Sequence, residues 1–600
     1  MSNTTVNERI ARFRAVMQEK GIDLYVVPTA DLHESEYAGA YFKVRKFLSG
    51  FTGSAGTLIV SQKEAGLWTD GRYFIQAAAQ LEGTCVTLFR MGEEGVPTTT
   101  EYIVENMPEN GTLGFDGRVI NSAFGNELKE KLADKHVSFH YTEDLADAVW
   151  TDRPALSCEP AWILDVAYSG KSTADKLAEL REAMRTAGAD VHVLTSLDDI
   201  AWLFNIRGND IPSNPVVLSY AVVTADEAIL FIQSGAVTPE VRTALSDCGV
   251  TLQEYNDIYE YVKTIPTDKK VLCNKKRVNF AIINNLPEGI EVIDAPNPTT
   301  EKKAVKNETE LNNLRAAHIK DGVAVTKFMY WLKKNVGKLE ITEISASDYL
   351  EQLRREQEGF LDLSFGTIAG YNANAAMMHY SATPESNAVL KPEGFLLVDS
   401  GGQYLEGTTD ITRTFVLGPI PDEWKLHFTT VLRSMLNLAS AKFLHGCRGV
   451  NLDILARGPL WDLGIDYKCG TGHGVGYLLN VHEGPNGFRW KIVPERNDSC
   501  VLEEGMVTTD EPGVYVEGSH GIRTENELIC RKAEKNEYGQ FMVFEHLTMA
   551  PIDLDGVDVS LMSKAEIKAL NDYHALVYQK LSPYMTEEEN AWLKEYTRAV

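Results

Sequence analysis

Cysteine is scarce in this chain, with eight residues in 600, scattered and with no Cys-x-x-Cys pair. That excludes a disulfide framework or a zinc knuckle and fits isolated reduced thiols. Long apolar runs are missing too. Met1 to Arg14 has no apolar core of the signal-peptide kind, and the longest apolar stretch, Val216 to Ile232, is broken by Thr224, Asp226 and Glu227. The mature chain is therefore expected to begin near residue 1 and to stay in the cytoplasm, with no membrane span. Basic charge is in deficit: 58 Lys and Arg against 85 Asp and Glu give a net charge of -27. Such a balance opposes adsorption to nucleic acid or anionic lipid, so no nucleic-acid or membrane partner is expected. What the chain does have, 44% hydrophobic residues over 600 positions, suffices for several cores and about three or four domains.

Ile10, Phe13, Val16 and Met17 recur at helical spacing, Gly21 can end the helix, and Leu24-Tyr25-Val26-Val27 follows as a strand closed by Pro28. The pattern is written again later: Leu177, Leu180 and Met184, a stop at Gly188, then Val191-His192-Val193-Leu194. Asp23 and Asp190 precede the two strands, and Phe47 to Gly53 runs parallel to Trp202 to Gly208. Two related α/β domains in tandem are expected, over 1–156 and 157–302, with turn-rich joints at Trp150 to Pro154 and Asp294 to Pro298. A third, larger domain over 303–600 opens with a helical pattern from Glu308 to Lys334, whose apolar face is Leu311, Leu314, Ile319, Val323, Val325, Phe328 and Leu332. The tail carries two capping boxes, Ser563 with Glu566 and Thr586 with Glu589, each opening an amphipathic helix.

Chemistry concentrates in the last third, where Asp399, Asp410, His473, Glu511 and Glu525 lie in order. Each acid sits at or beside a strand-like run. A carboxylate there is drawn towards low-dielectric surroundings, where an unpaired charge costs several kcal/mol or is neutralised by a proton. Something cationic is therefore expected. Asp399 and Asp410 are separated by a turn-rich segment, as are Glu511 and Glu525, so two hairpins would each bring a pair of acids to one spot. The pair is made twice, as expected of internal pseudo-symmetry. Four carboxylates and one imidazole form an oxygen-rich set suited to Mn²⁺, Co²⁺ or Zn²⁺, and two such ions about 3.5–4 Å apart are hydrolytic machinery. Taken singly, each acid is more often a turn former or a surface ion pair, and His473, in the glycine-rich run Gly470 to Gly476, a polar loop residue.

The motifs Leu397 to Gly401, Thr408 to Thr414, Gly470 to Gly476, Asn480 to Pro485, Thr509 to Gly513 and Gly521 to Asn526 resemble the cytosolic aminopeptidase P (Xaa-Pro aminopeptidase) branch of peptidase family M24. Gly53 to Thr57 and Trp68 to Tyr73 are similar to the first domain of its long, three-domain members, and Asp199 to Gly208 to the second. The resemblance implies two creatinase-N-like α/β domains followed by a pita-bread catalytic domain with a helical extension. It implies two metal ions, Mn²⁺ first among candidates: Asp399 on one, His473 and Glu511 on the other, Asp410 and Glu525 bridging them around a shared hydroxide. Catalytic roles would fall to His379, which stabilises the transition state, to His482, which contacts substrate near the scissile bond, and to Glu511 as proton shuttle. On their own, His379 reads as a core histidine beside Met377 and Met378, and His482 as a loop histidine bonded to Glu483. The implied substrates are peptides with proline at the second position, and the implied assembly a homodimer. Many members carry a histidine where this chain has Cys469, which alters the proline subsite.

An Xaa-Pro bond has no N–H and a locked φ, so the extended pose that general peptidases impose is unavailable and a dedicated pocket is needed. His379, His482, Tyr380 and Phe365 are its candidate walls. A prolidase, restricted to dipeptides, would use the same cage. A non-catalytic scaffold of this fold, or a metal-free relative such as creatinase, would lack a complete ligand set.

Overall fold

A computed structural model describes residues 3–493 and 498–600 of the protein. The chain divides into two compact units, one of residues 1–164, 172–212 and 216–299, the other of 165–171, 213–215 and 300–600.

The first unit contains two six-stranded sheets of one topology. In the first, the 24–28 strand lies inside, antiparallel to 57–61 on one side and parallel to 112–114 on the other. In the second, 191–194 takes that place between 219–224 and 270–273. Each sheet is preceded by an amphipathic helix, Asn3–Glu19 or Thr173–Ala187, the latter capped by Gly188 in the left-handed region at φ 70°. Ile10, Phe13 and Met17 are buried, as are Leu177, Leu180 and Met184. The tandem repeat read from the sequence is thus a repeat of topology. Phe47 to Gly53 and Trp202 to Gly208 also correspond, since both contain the end of a short helix and the left-handed residue that closes it, Gly50 or Asn205.

The second unit opens with the Glu308–Asn335 helix, started by a capping box of Asn307 and Glu310. Leu311, Leu314, Val323, Val325, Phe328 and Leu332 are buried, each worth roughly 1.5–3 kcal/mol relative to exposure. Ile319 is partly buried against the same unit's core. Between these apolar positions Asp321 is buried on Arg354 at 2.7 Å and accepts the Tyr404 hydroxyl at 2.8 Å. The two tail helices, Lys564–Leu581 and Glu587–Tyr596, start on the expected capping boxes. Among the described residues no helix is long and apolar enough to cross a membrane, and all eight cysteines are free thiols.

Two strand arrangements carry the acids. Strand 395–400 pairs antiparallel with 411–416, Asp399 opposite Thr412. Strand 507–510 pairs antiparallel with 526–536, Asp510 opposite Asn526. The connections are not plain turns. Residues 402–404 and 407–408 pair with each other in a separate small sheet with 360–363, and 513–516 pairs with 520–523 as a two-stranded ribbon. A hairpin within a hairpin therefore occurs in both halves. Two glycines permit matching close approaches: a Cβ on Gly401 would lie 1.9 Å from the Thr409 carbonyl oxygen, and one on Gly472 1.8 Å from that of Thr509.

Candidate metal centre

Asp399 lies within its strand, whereas Asp410 and Glu525 stand one residue before theirs and Glu511 one residue after. The acids are thus at strand ends, where backbone pairing fixes the main chain but the side chains are free to converge. A backbone bond ties the halves together, Glu525 N donating to the Thr412 carbonyl at 3.1 Å, and another closes the second half, Glu511 N donating to that of Thr471 at 2.7 Å.

Asp410, His473 and Glu525 each offer a ligand atom, all within 4.8 Å of one another. His473 Nε2 lies 3.4 Å from Asp410 Oδ2 and 3.5 Å from Glu511 Oε1. His473 Nδ1 faces the Gly474 carbonyl at 2.9 Å. That bond requires the proton on Nδ1, so Nε2, which faces the acids, is the nitrogen that a metal would take in place of a proton. Thr509 Oγ1 receives the main-chain N–H of His473 at 3.0 Å and donates to Glu511 Oε1 at 3.2 Å, which ties the Glu511 side chain to the backbone that carries His473.

The electrostatics show what crowding does. Burial, then the Asp399 and Glu511 charges, push the Asp410 carboxyl up to about 7, against the pull of His473. Burial, then Asp410, Glu511 and Asp399, push Glu525 well above the carboxylate range. Burial opposes charge on His473, but Asp410 and Glu511 outweigh it and raise the imidazole to about 9. Asp399 therefore acts on the same cluster although it lies outside the tightest triad. One of its oxygens receives Arg523 Nη2 at 2.5 Å, while Oδ1 is buried with no hydrogen-bond partner among the described residues. A buried, unpartnered carboxylate oxygen beside mutually repelling acids and an imidazole lone pair fits divalent cations.

Two contributors escaped the sequence reading. Arg523 Nε donates to Thr412 Oγ1 at 3.0 Å, and Thr412 Oγ1 donates to Glu525 Oε2 at 2.7 Å. Thr412 lies two residues after Asp410 and Arg523 two before Glu525, and along an extended chain such spacing puts side chains on one face. That was the available signal. A third support lies under the glycine loop: Arg457, fully buried, pairs with Asp453 at 2.8 Å and donates to the carbonyls of Tyr467 and Cys469. Thr471 Oγ1 in turn donates to Asp453 Oδ1.

The histidines differ from their stand-alone readings. His379 is exposed, in the turn after the 372–376 helical turn, rather than a core residue. His482 is exposed at the rim, its ring edge-to-face on His473 with centroids 4.2 Å apart. Glu483, next to it in sequence, has one oxygen on Lys303 and the other on Lys306. Tyr380 is buried with its hydroxyl on Glu343 at 2.9 Å, so its polar end is committed to the scaffold. Phe365 is half-buried. Cys469 is partly buried, and burial together with Glu511 pushes its thiol up to about 12, which keeps it protonated and unreactive at neutral pH.

Four family profiles match the chain in sequence order: the creatinase/prolidase N-terminal domain over 9–149 and again, in a second form, over 152–310, metallopeptidase family M24 over 312–532, and the C-terminal region of peptidase M24 over 540–600. The chain is 38% identical, over all of its own length and of the relative's, to a protein named "Probable Xaa-Pro aminopeptidase P" from Paracoccidioides brasiliensis (strain Pb03). It is 37% identical to Aminopeptidase P2 of Arabidopsis thaliana, over 100% of this chain and 89% of that one. Among solved structures it is similar to X-prolyl aminopeptidase from Caenorhabditis elegans, described as a cytosolic enzyme with a di-nuclear active site, with TM-score 0.93 and 34% identity over 99% of this chain and 100% of the other.

Proposed function

Since the chain belongs to metallopeptidase family M24, we propose a specific reaction for it: hydrolytic removal of the first residue from peptides whose second residue is proline. The observation that carries this reading is the meeting of Asp410, His473 and Glu525 within 4.8 Å at the ends of two mirrored strand pairs, in a chain that matches aminopeptidases P along its whole length. Asp399, Asp410, His473, Glu511 and Glu525 would hold two divalent ions, Mn²⁺ being our assignment. When bound, such ions supply an activated water at neutral pH and polarise the scissile carbonyl.

The remaining work falls to side chains. Glu511, partly exposed and fixed through Oε1 by Thr509, is suited to take a proton from water and deliver it to the proline nitrogen, which must be protonated to leave. His482 at the rim beside His473 is assigned to the substrate near the scissile bond, and His379, on its exposed turn, to the transition state. Cys469 leaves the proline subsite with a small neutral thiol in place of a ring. Domain boundaries near 156 and 302 and a cytoplasmic location complete the reading. We also assign a homodimer: Ile454, Leu455 and Trp461 on the 449–461 helix are exposed together with Leu463, Trp490 and Ile492, and Trp461 meets Trp490 edge-to-face at 6.1 Å. Exposed apolar side chains such as these mark a surface for association, which we assign to a second copy.

The test is peptide cleavage followed by mass spectrometry with Mn²⁺ supplied. Xaa-Pro-Xaa tripeptides should lose their first residue and Xaa-Ala-Xaa peptides should not. A clear preference for Xaa-Pro dipeptides would make the protein a prolidase instead.

A further inference from the structure

Two lysines at the entry to the catalytic unit are buried where charge is costly. Lys303 Nζ reaches Glu483 Oε2 at 2.8 Å and Lys306 Nζ reaches Oε1 at 2.5 Å, with side chains 6%, 1% and 3% exposed respectively for Lys303, Lys306 and Glu483. Taking three ions out of water costs several kcal/mol apiece, and apolar residues of similar volume would support the fold equally well. Such a group is better understood by what it holds in place.

Glu483 directly follows His482 and opens the 483–488 strand, where it pairs with Gly474, the neighbour of His473. The approach there is tight, since a Cβ on Gly474 would lie 2.2 Å from the Glu483 carbonyl oxygen. The lysines are themselves anchored. Lys306 N donates to the Gly505 carbonyl at 3.1 Å, and Val305 bridges Met506, immediately before the strand that ends beside Glu511. Asn480 Nδ2 holds the His482 carbonyl at 2.9 Å. The main chain on both sides of His482 is thereby fixed, while its ring is exposed and lies edge-to-face on His473.

We propose that Glu483, gripped by Lys303 and Lys306, is a positioning residue that sets His482 against His473 for the reaction. The clamp neither binds metal nor touches substrate. It rests on the reading of His482 as a substrate-contacting residue given above.

A double-mutant cycle on an Xaa-Pro-Xaa peptide, with kcat, KM and bound metal measured for each protein, tests this. Glu483→Gln should lose about 10–100-fold in kcat with metal stoichiometry unchanged. In a His482→Ala background the same change should cost no more than about twofold further, because the residue through which it acts is gone. Lys303→Met leaves Glu483 a one-to-one pair with Lys306 and gives a folded intermediate case if Glu483→Gln is unstable. Its loss should likewise vanish in the His482→Ala background, and Lys306→Arg should retain activity that Lys306→Met loses. Losses that multiply in the double variants, or metal content falling in step with kcat, would overturn the clamp while leaving the role of His482 intact. Full activity of His482→Ala alone would overturn the assignment of His482, and the clamp with it.

Discussion

Asp410→Asn separates the two things the acid cluster does: hold cations and strain the fold without them. Burial and the neighbouring acids raise Asp410 from 3.8 to about 7. An acid whose pKa is raised on folding binds protons in the folded state that the unfolded chain has released, so stability falls as pH rises from the unfolded value through 7 and stays low above it. Moving the carboxyl from 3.8 to about 7 corresponds to roughly 4 kcal/mol of destabilisation at alkaline pH. His473 works with the same sign. Raised to about 9, its imidazolium contributes stability that is complete below its ordinary 6.5 and is lost as pH rises through 9. With chelator present, the unit holding the cluster should therefore melt at progressively lower temperature between about pH 5.5 and about pH 8.5. Asp410→Asn cannot ionise, and should melt higher than the unsubstituted protein at about pH 8, by up to roughly 8 °C. Supplying Mn²⁺ should reverse the ranking. Two ions, each at about 1,000 times its Kd, add about 4.1 kcal/mol apiece, more than the repulsion costs, and the variant, short of one carboxylate, should gain far less and hydrolyse nothing. Calorimetric melts with EDTA or Mn²⁺ across that pH range read all of this. A chelated protein whose melting temperature climbs with pH, or an Asp410→Asn protein that melts below it at alkaline pH, would refute the reasoning.

Arg457→Met should leave Asp453 buried without its charge partner, which costs about 3–5 kcal/mol, and should weaken metal binding because the Asp453 that anchors Thr471 and the carbonyls of Tyr467 and Cys469 all lose the guanidinium; urea unfolding and calorimetric titration with Mn²⁺ would show both. Cys469, its thiol held at about 12, should resist iodoacetamide at about pH 8, while exposed Cys85 is alkylated, as mass mapping would show; labelling of Cys469 at the rate of Cys85 would contradict its protected state. Trp461→Glu should place a charge in the exposed apolar patch and shift the protein from dimer to monomer in light scattering; an unchanged mass would remove that patch from the interface.

Local rules made much of this protein readable in advance. The Glu308–Asn335 helix announced itself by seven apolar positions at helical spacing, and the tail helices by Ser563 with Glu566 and Thr586 with Glu589, because caps and faces depend on neighbours within a few residues. The repeated domains were legible for the same reason, each element being written locally twice. What sequence reading treated as simple turns, residues 400–409 and 512–521, turned out to contain strands of their own in other sheets. Short strands of two to four residues carry too little periodicity to be seen without their partners. The grip of Lys303 and Lys306 on Glu483, 180 and 177 residues away, had no local signal at all. Nor did the exposure of His379, where two adjacent methionines suggested a core.

The five candidate ligands illustrate a physical reason for this division. Each lies at or next to a strand end, a place that apolar runs reveal, but their convergence depends on contacts that only folding supplies. Gly401 lets one pair of strands close on the Thr409 carbonyl, and Gly472 lets the other close on that of Thr509. Thr409 immediately precedes Asp410, and Thr509 both receives the His473 N–H and orients Glu511. The same device thus sets ligand spacing in each half. A methyl group at either glycine would meet a main-chain oxygen rather than a flexible side chain, and the strand carrying the acids would have to move. The acids supply the charge of the centre, whereas these close backbone approaches supply its dimensions, and the latter are written in residues that carry no charge.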